Sequence, residues 1–310
     1  MGISTLLILI CHAPAHINDL PPQLRFIMTN CAYGVDIFLF LSGMGLCYSL
    51  SNIDMKTDLW QWYKKRYIRL LMPCLIVQLL FIYKQDILHH LMFFTGISFF
   101  AAGDGFWFID MLIPLYLMAP VLYLVSEKRY GLYIIGLLTI LCFCFCMIKI
   151  ENSLITHTKE IITRVPSFLG GIMMSKSIKT SKTVNIFLLV FVVSIVLPLM
   201  AHFTKTYLSQ DIMAAPFYMP LLLISFCILL SISNIIWGGV IWRFLGKISL
   251  ESYLLNVSIT FILDRMLNSY CPSYIIYLIS IFTGVIIAYL IHILTTLFIK
   301  IADNIKVCSK

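Results

Sequence analysis

CAYGVDIFLFLSG, residues 31–43, reads as the start of a membrane span with a carboxylate, Asp36, set inside it. The stretch is continuously apolar rather than alternating with a period of two, so it favours a spanning helix over a barrel strand. Ionisable groups at membrane depth are costly and mark functional positions by default. The same thirteen residues therefore point to a helical membrane fold and to a first candidate residue.

Composition outside this stretch agrees. The chain has 310 residues, is 61% hydrophobic and is 12% charged, about half the charged fraction of a soluble domain. Met266–Ile299 and Ile212–Trp242 contain no Asp, Glu, Lys or Arg, and each exceeds the ~20 residues that cross a hydrocarbon core. The expected fold is an all-α polytopic bundle of about ten transmembrane helices: 2–16, 33–50, 70–84, 87–126, 131–148, 161–175, 184–203, 215–236, 248–264 and 275–299. Within 87–126, a partial helix on the outer side precedes a span from about 106.

The basic residues supply an orientation. Fifteen of the 22 Lys and Arg fall in 51–69, 127–130, 176–183, 237–247 and the C-terminal tail; the remaining seven lie on the opposite set of loops. That bias fits an even span count with both termini in the cytoplasm. It also accounts for the net charge of +8 without a nucleic-acid partner. The expected setting is a multi-pass protein of the inner or plasma membrane, its partner the lipid bilayer. The chain shows no repeat, linker or appended soluble domain, so 1–310 reads as a single membrane-embedded domain. Gly2–Cys11 lacks the basic n-region of a signal peptide and is read as a span.

Most of the ten cysteines sit in apolar segments, where they act as small hydrophobes. In CFCFC, 142–146, cysteines two apart on a helix point to different sides, so no metal site is expected. Cys31 and Cys271, both assigned to the outer side, are a candidate disulfide pair.

Five places carry chemistry. His12 lies at the outer end of the first span and Asp36 at similar depth in the second, where a carboxylate would fix the tautomer of an imidazole and raise its basicity. The other reading leaves both interfacial and solvated. In WQWYKKRYIRLLMP, 60–73, Arg66 and Arg69 are three apart and share a helix face. Two guanidiniums suit a phosphate-bearing ligand, or anchor the chain at headgroups. Pro73 is read as opening the third span. In FWFIDMLIPLYLMAP, 106–120, an aromatic belt explains Trp107 but not Asp110. In RVPSFLGGIMMSK, 164–176, Arg164 is available to Asp36, to Asp110 or to headgroups, and Gly170 and Gly171 permit close helix approach. In LGKISLESYLLN, 245–256, Glu251 has Ser249, Ser252 and Tyr253 as partners, with a cytoplasmic ligand role as the alternative.

These pieces, in this order, resemble the integral-membrane acyltransferase family 3. The resemblance rests on His12, on GVDIFLFLSG (34–43), on Arg66-x-x-Arg69 followed by Pro73, on WFI…LY…P (107–120), on R…F..G (164–170) and on LGKISLESYL (245–254), and it runs through most of the chain. It implies O-acylation, commonly O-acetylation, of a surface or exported carbohydrate, with acetyl-CoA or another acyl-CoA as donor substrate and no permanently bound cofactor. On that pattern His12 is the catalytic base or transient acyl carrier and Asp36 orients it. Arg66 and Arg69 hold the donor phosphates; Asp110, Trp107 and Arg164 bind the carbohydrate acceptor. The family pattern places a basic residue where Met1 stands and a late histidine where Asn256 stands. The former, with a first span of about 15 residues, or roughly 22 Å at helical rise, leads to the expectation that the coding sequence extends upstream. The competing class is a multi-span transporter of a small solute or glycan, which often shows repeated halves with broken helices; no such repeat is present. A scaffold role comes third, because it explains neither residue pair. Acceptor and acyl group stay open.

Overall fold

The computed structural model describes residues 1–81, 91–92, 95–103, 105–146, 148, 152–179 and 239–307. Among these residues every regular element is helical and there is no strand. Among the described residues, three helical stretches are long and apolar enough to cross a membrane: Pro22–Leu50, Trp107–Glu127 and Ser273–Lys300. Gly2–His16 and Gly131–Cys146 are shorter apolar helices. The spans expected at 184–203 and 215–236 lie outside the described residues.

The chain forms two compact units, each discontinuous in sequence: Met1–Gly34, Trp60–Phe94 and Gly238–Lys310 make the first, and Val35–Leu59 and Thr95–Trp237 the second.

The first unit contains α1 (Gly2–His16), α2 (Pro22–Asn30), a 3₁₀ turn (Cys31–Tyr33), α4 (Leu59–Phe81, from Trp60 on), α10 (Gly239–Lys247), α11 (Ser249–Leu267) and α12 (Ser273–Val307). Pro22 starts α2 at the position where a missing N–H costs nothing. Arg25 reaches back to the carbonyls of Pro14, Ile17 and Asn18 at 3.0, 3.4 and 3.2 Å, satisfying acceptors that the end of α1 leaves open. Thr260 donates to Ser280 at 2.9 Å, and Glu251 meets His292. The partners ascend on α11 as they descend on α12, so the two helices run antiparallel. α1 packs on α10, α11 and α12. Gly2 makes this fit: a Cβ there would lie 2.2 Å from the Trp242 carbonyl oxygen. Phe282, Ile286 and Leu290 of α12 are exposed, as expected of a surface in hydrocarbon rather than water.

The second unit contains α3 (Gly34–Leu50, beyond Gly34), α5 (Ile97–Ala102), α6 (Trp107–Glu127), α7 (Gly131–Cys146), α8 (Ser153–Ile162) and α9 (Val165–Lys179). α3 and α9 touch backbone to backbone. A Cβ on Gly171 would lie 2.0 Å from the Phe40 carbonyl oxygen, and one on Gly43 would lie 2.3 Å from that of Phe168. Small residues at such crossings let helices gain dispersion contact in lipid; of the two glycines named from sequence, Gly171 is placed here. Asn152 caps α8 by accepting from the Leu154 N–H at 2.9 Å.

Several boundaries differ from expectation. α4 is one helix of 23 residues that continues through Pro73, so the proline lies inside the helix rather than at its start. The span expected over 161–175 is interrupted at Thr163–Arg164, between α8 and α9. Of the partial helix expected within 87–103, the described residues include the six-residue α5, bounded by the left-handed glycines Gly96 and Gly103; 87–90 and 93–94 lie outside the described residues. Cys31 and Cys271 are free thiols, which corrects the candidate pairing.

Candidate active site

In the second unit, Asp36 and Arg164 come together. Asp36 is fully buried in the first turn of α3. Arg164 stands at the break before α9 and donates through Nη1 to Asp36 Oδ2. Ser167 Oγ donates to Oδ1 at 2.7 Å. A carboxylate cut off from water is tolerable when paired and hydrogen-bonded on both oxygens, and that is what α9 provides. The helix break is what frees Arg164 to turn toward α3.

Asp110 is handled differently. It lies in the first turn of α6, 7% exposed. Its Oδ2 has no hydrogen-bond partner among the described residues. Gly96 and Gly105 pack so tightly that a Cβ would lie 2.9 Å from Oδ1 and 3.4 Å from Oδ2 respectively. Trp107 is partly exposed and packs edge-on to Phe108, 6.0 Å between ring centroids. Phe108 meets Phe38 of α3 in the same way at 5.2 Å.

In the first unit, His12 lies on α1, partly buried, with no hydrogen bond among the described residues. One turn on, His16 stacks on Tyr277 of α12, 5.8 Å between ring centroids. The Tyr277 hydroxyl donates to the Leu9 carbonyl. Tyr277 thus ties α1 to α12 at Leu9 and at His16, the positions that flank His12 in sequence. His12 and Asp36 belong to different units. Arg66 and Arg69 share α4. Arg66 lies over the Trp62 ring, 5.8 Å from its centroid, while Arg69 is exposed.

The family description "Acyltransferase domain" matches residues 2–293. The chain belongs to acyltransferase family 3. The match spans both units and every candidate position from His12 to Asn256. No curated protein and no solved structure matches the chain. It is therefore a membrane acyltransferase by family, and the residues above are those from which its chemistry has to be built.

This acyltransferase holds one pairing that residue-by-residue reading of the sequence missed. Glu251, 4% exposed, has its Oε1 2.9 Å from His292 Nδ1. With Glu251 ionised, that nitrogen carries the proton and donates. Ser249 instead donates to the Gly246 carbonyl, and Ser252 Oγ has no partner among the described residues, so of the three neighbours expected from sequence, Ser249, Ser252 and Tyr253, neither serine satisfies the carboxylate. The available signal was His292 itself, a polar residue inside the uncharged run 266–299. Its partner was not readable, because 41 positions separate them.

Proposed function

We propose that this family member is an acyl-CoA-dependent membrane O-acyltransferase, most simply an O-acetyltransferase, acting on a hydroxyl of a surface or exported carbohydrate. The observation that carries the reading is the family match over 2–293, which includes the histidine and both arginines. In this proposal the chain sits in the inner or plasma membrane as about ten spans with both termini in the cytoplasm, consistent with the distribution of Lys and Arg.

Acyl-CoA approaches from the cytoplasm, and Arg66 and Arg69 hold its phosphates. Guanidiniums on one helix face match phosphate oxygens in geometry and charge. The cation–π contact with Trp62 supports this, since it restricts the rotamers of Arg66 before the ligand arrives. His12 serves as base toward the acceptor hydroxyl, or accepts the acyl group and passes it on. As base, its ring takes the hydroxyl proton while the alkoxide oxygen bonds to the thioester carbon, the C–S bond breaks, and the thiolate leaves with the electron pair and is then protonated. The clamp of α1 by Tyr277 supports a positioned imidazole, and the absence of a hydrogen bond to His12 among the described residues leaves its nitrogens open to substrate. The orienting role of Asp36 rests on the family pattern; its pairing with Arg164 and Ser167 keeps it in one rotamer. Asp110, Trp107 and Arg164 are the proposed acceptor-side residues.

The test is transfer of radiolabelled acetyl from acetyl-CoA to envelope glycan by membranes carrying the wild-type chain or His12→Ala. Loss of transfer with unchanged protein level is expected. Undiminished transfer by His12→Ala removes its catalytic role.

A further inference from the structure

We infer that Asp110 and His157 border one hydroxyl-binding cleft in the second unit, with Gly96, Gly103 and Gly105 as its backbone wall, and that this cleft selects the acceptor ring. The inference rests on the proposed carbohydrate acceptor and adds to it a residue, His157, and three glycines.

The observations converge on Phe99, which is buried. The His157 ring lies 5.4 Å from the Phe99 ring, and Gly105 packs against both Phe99 and the Asp110 carboxylate. Gly96, Gly103 and Gly105 all have positive φ, at 77°, 77° and 147°, where side chains are strained. Each also presses on one of the two polar groups. Gly96 and Gly105 lie against Asp110, and a Cβ on Gly103 would sit 2.7 Å from His157 Cε1. The backbone is thus held in van der Waals contact with a carboxylate and an imidazole without bonding to either.

Both groups keep a polar atom without a hydrogen bond. Asp110 Oδ2 and His157 Nδ1 are buried atoms with no hydrogen-bond partner among the described residues; Glu160 stands 3.9 Å from Nδ1, within ion-pair range but too far for a hydrogen bond. Leaving such groups unpaired is costly. Among the described residues, the cations on the neighbouring backbone are engaged: Lys159 donates to the Ile148 carbonyl and Arg164 to Asp36. A phosphate or carboxylate would be repelled wherever Asp110 is ionised. A ring with adjacent hydroxyls satisfies both atoms, since one hydroxyl donates to the carboxylate while another pairs with the imidazole nitrogen in either tautomer.

The test uses the purified full-length chain in lipid nanodiscs, with acetyl-CoA as donor and a panel of methyl glycosides (hexoses, a deoxyhexose, an N-acetylhexosamine) as acceptors. Glycoside binding is read separately by saturation-transfer NMR. His157→Gln and Asp110→Asn are expected to raise the acceptor KM roughly tenfold, the scale of one lost hydrogen bond to a charged group, to leave the KM for acetyl-CoA unmoved, and to change the ranking of glycosides. Gly103→Ala, which drives a methyl into the imidazole, should do the same. If the wild type binds glycosides and the variants do not, yet no acetyl is transferred, the acyl-transfer reading falls and the cleft stands. Binding that survives both His157→Gln and Asp110→Asn overturns the cleft, as does a joint rise of both KM values or a wild type that binds none of the glycosides.

Discussion

Arg164 and Asp36 are 128 positions apart in sequence and form an ion pair at the start of the α3–α9 crossing. Ser167 completes it from the first turn of α9. Asp36 is completely shielded and the Arg164 side chain is 15% exposed, so neither charge is hydrated enough to stand alone.

Removing one partner should therefore be worse than removing both. Arg164→Ala leaves a buried carboxylate uncompensated, which costs about 3–5 kcal/mol, whereas the double replacement of Arg164 by Met and Asp36 by Leu should be far milder. Thermal unfolding in detergent, followed by tryptophan fluorescence, reads the difference. Equal losses for the single and double variants would show that the pair is not energetically coupled.

The crossing below this pair depends on the absence of a side chain at Gly171. Gly171→Ala forces a methyl onto the Phe40 carbonyl, both of them backbone-fixed, so the helices must separate. A loss of about 1–3 kcal/mol is expected. Gly45→Ala, which meets nothing within 4 Å, is the matched control and should be close to neutral. A destabilised control would point to helix propensity or lipid contact instead.

Glu251 and His292 make a similar prediction in the first unit. Glu251→Gln keeps an acceptor for the His292 Nδ1–H and should be tolerated. His292→Ala strands a nearly buried carboxylate whose second oxygen already lacks a partner among the described residues, and should cost several kcal/mol by the same reasoning. Folded yield and melting temperature of the two variants give the order, and a more harmful Glu251→Gln would contradict the pairing.

The arginines of α4 should separate by exposure. Arg66 is braced by Trp62, while Arg69 projects freely from the helix. If both grip donor phosphates, Arg69→Lys should raise the KM for acetyl-CoA several-fold through loss of the bidentate fork, with little change in kcat. Trp62→Leu should weaken donor binding through Arg66 alone. Steady-state kinetics across acetyl-CoA concentrations distinguishes this from simple headgroup anchoring, under which neither KM moves.

Much of the helical layout could be read from local pattern. α1, α3, α6, α7, α11 and α12 begin and end within a few residues of the apolar blocks, apart from the longer tail of α12, because Gly, Pro and polar residues set helix ends locally. The positions of His12, Asp36 and Asp110 on those helices followed from the same signals, whereas Arg66 and Arg69 lie on α4, which begins at Leu59, well before the span expected from 70. Local pattern erred at Pro73, which α4 carries internally, and at Thr163–Arg164, where the apolar run continues across a break.

Partnership was another matter. From sequence, Arg164 had two carboxylates and the headgroups to choose from, and the tertiary structure gives it to Asp36. Glu251 had serines within a turn, and it took His292 from another helix. Hydrophobic periodicity reports which face of a helix is hidden, a property of some ten consecutive residues. Which charge meets which depends on the rotation and register of helices joined by long connections, and those are set by backbone contacts such as Phe40 on Gly171 that no local window contains.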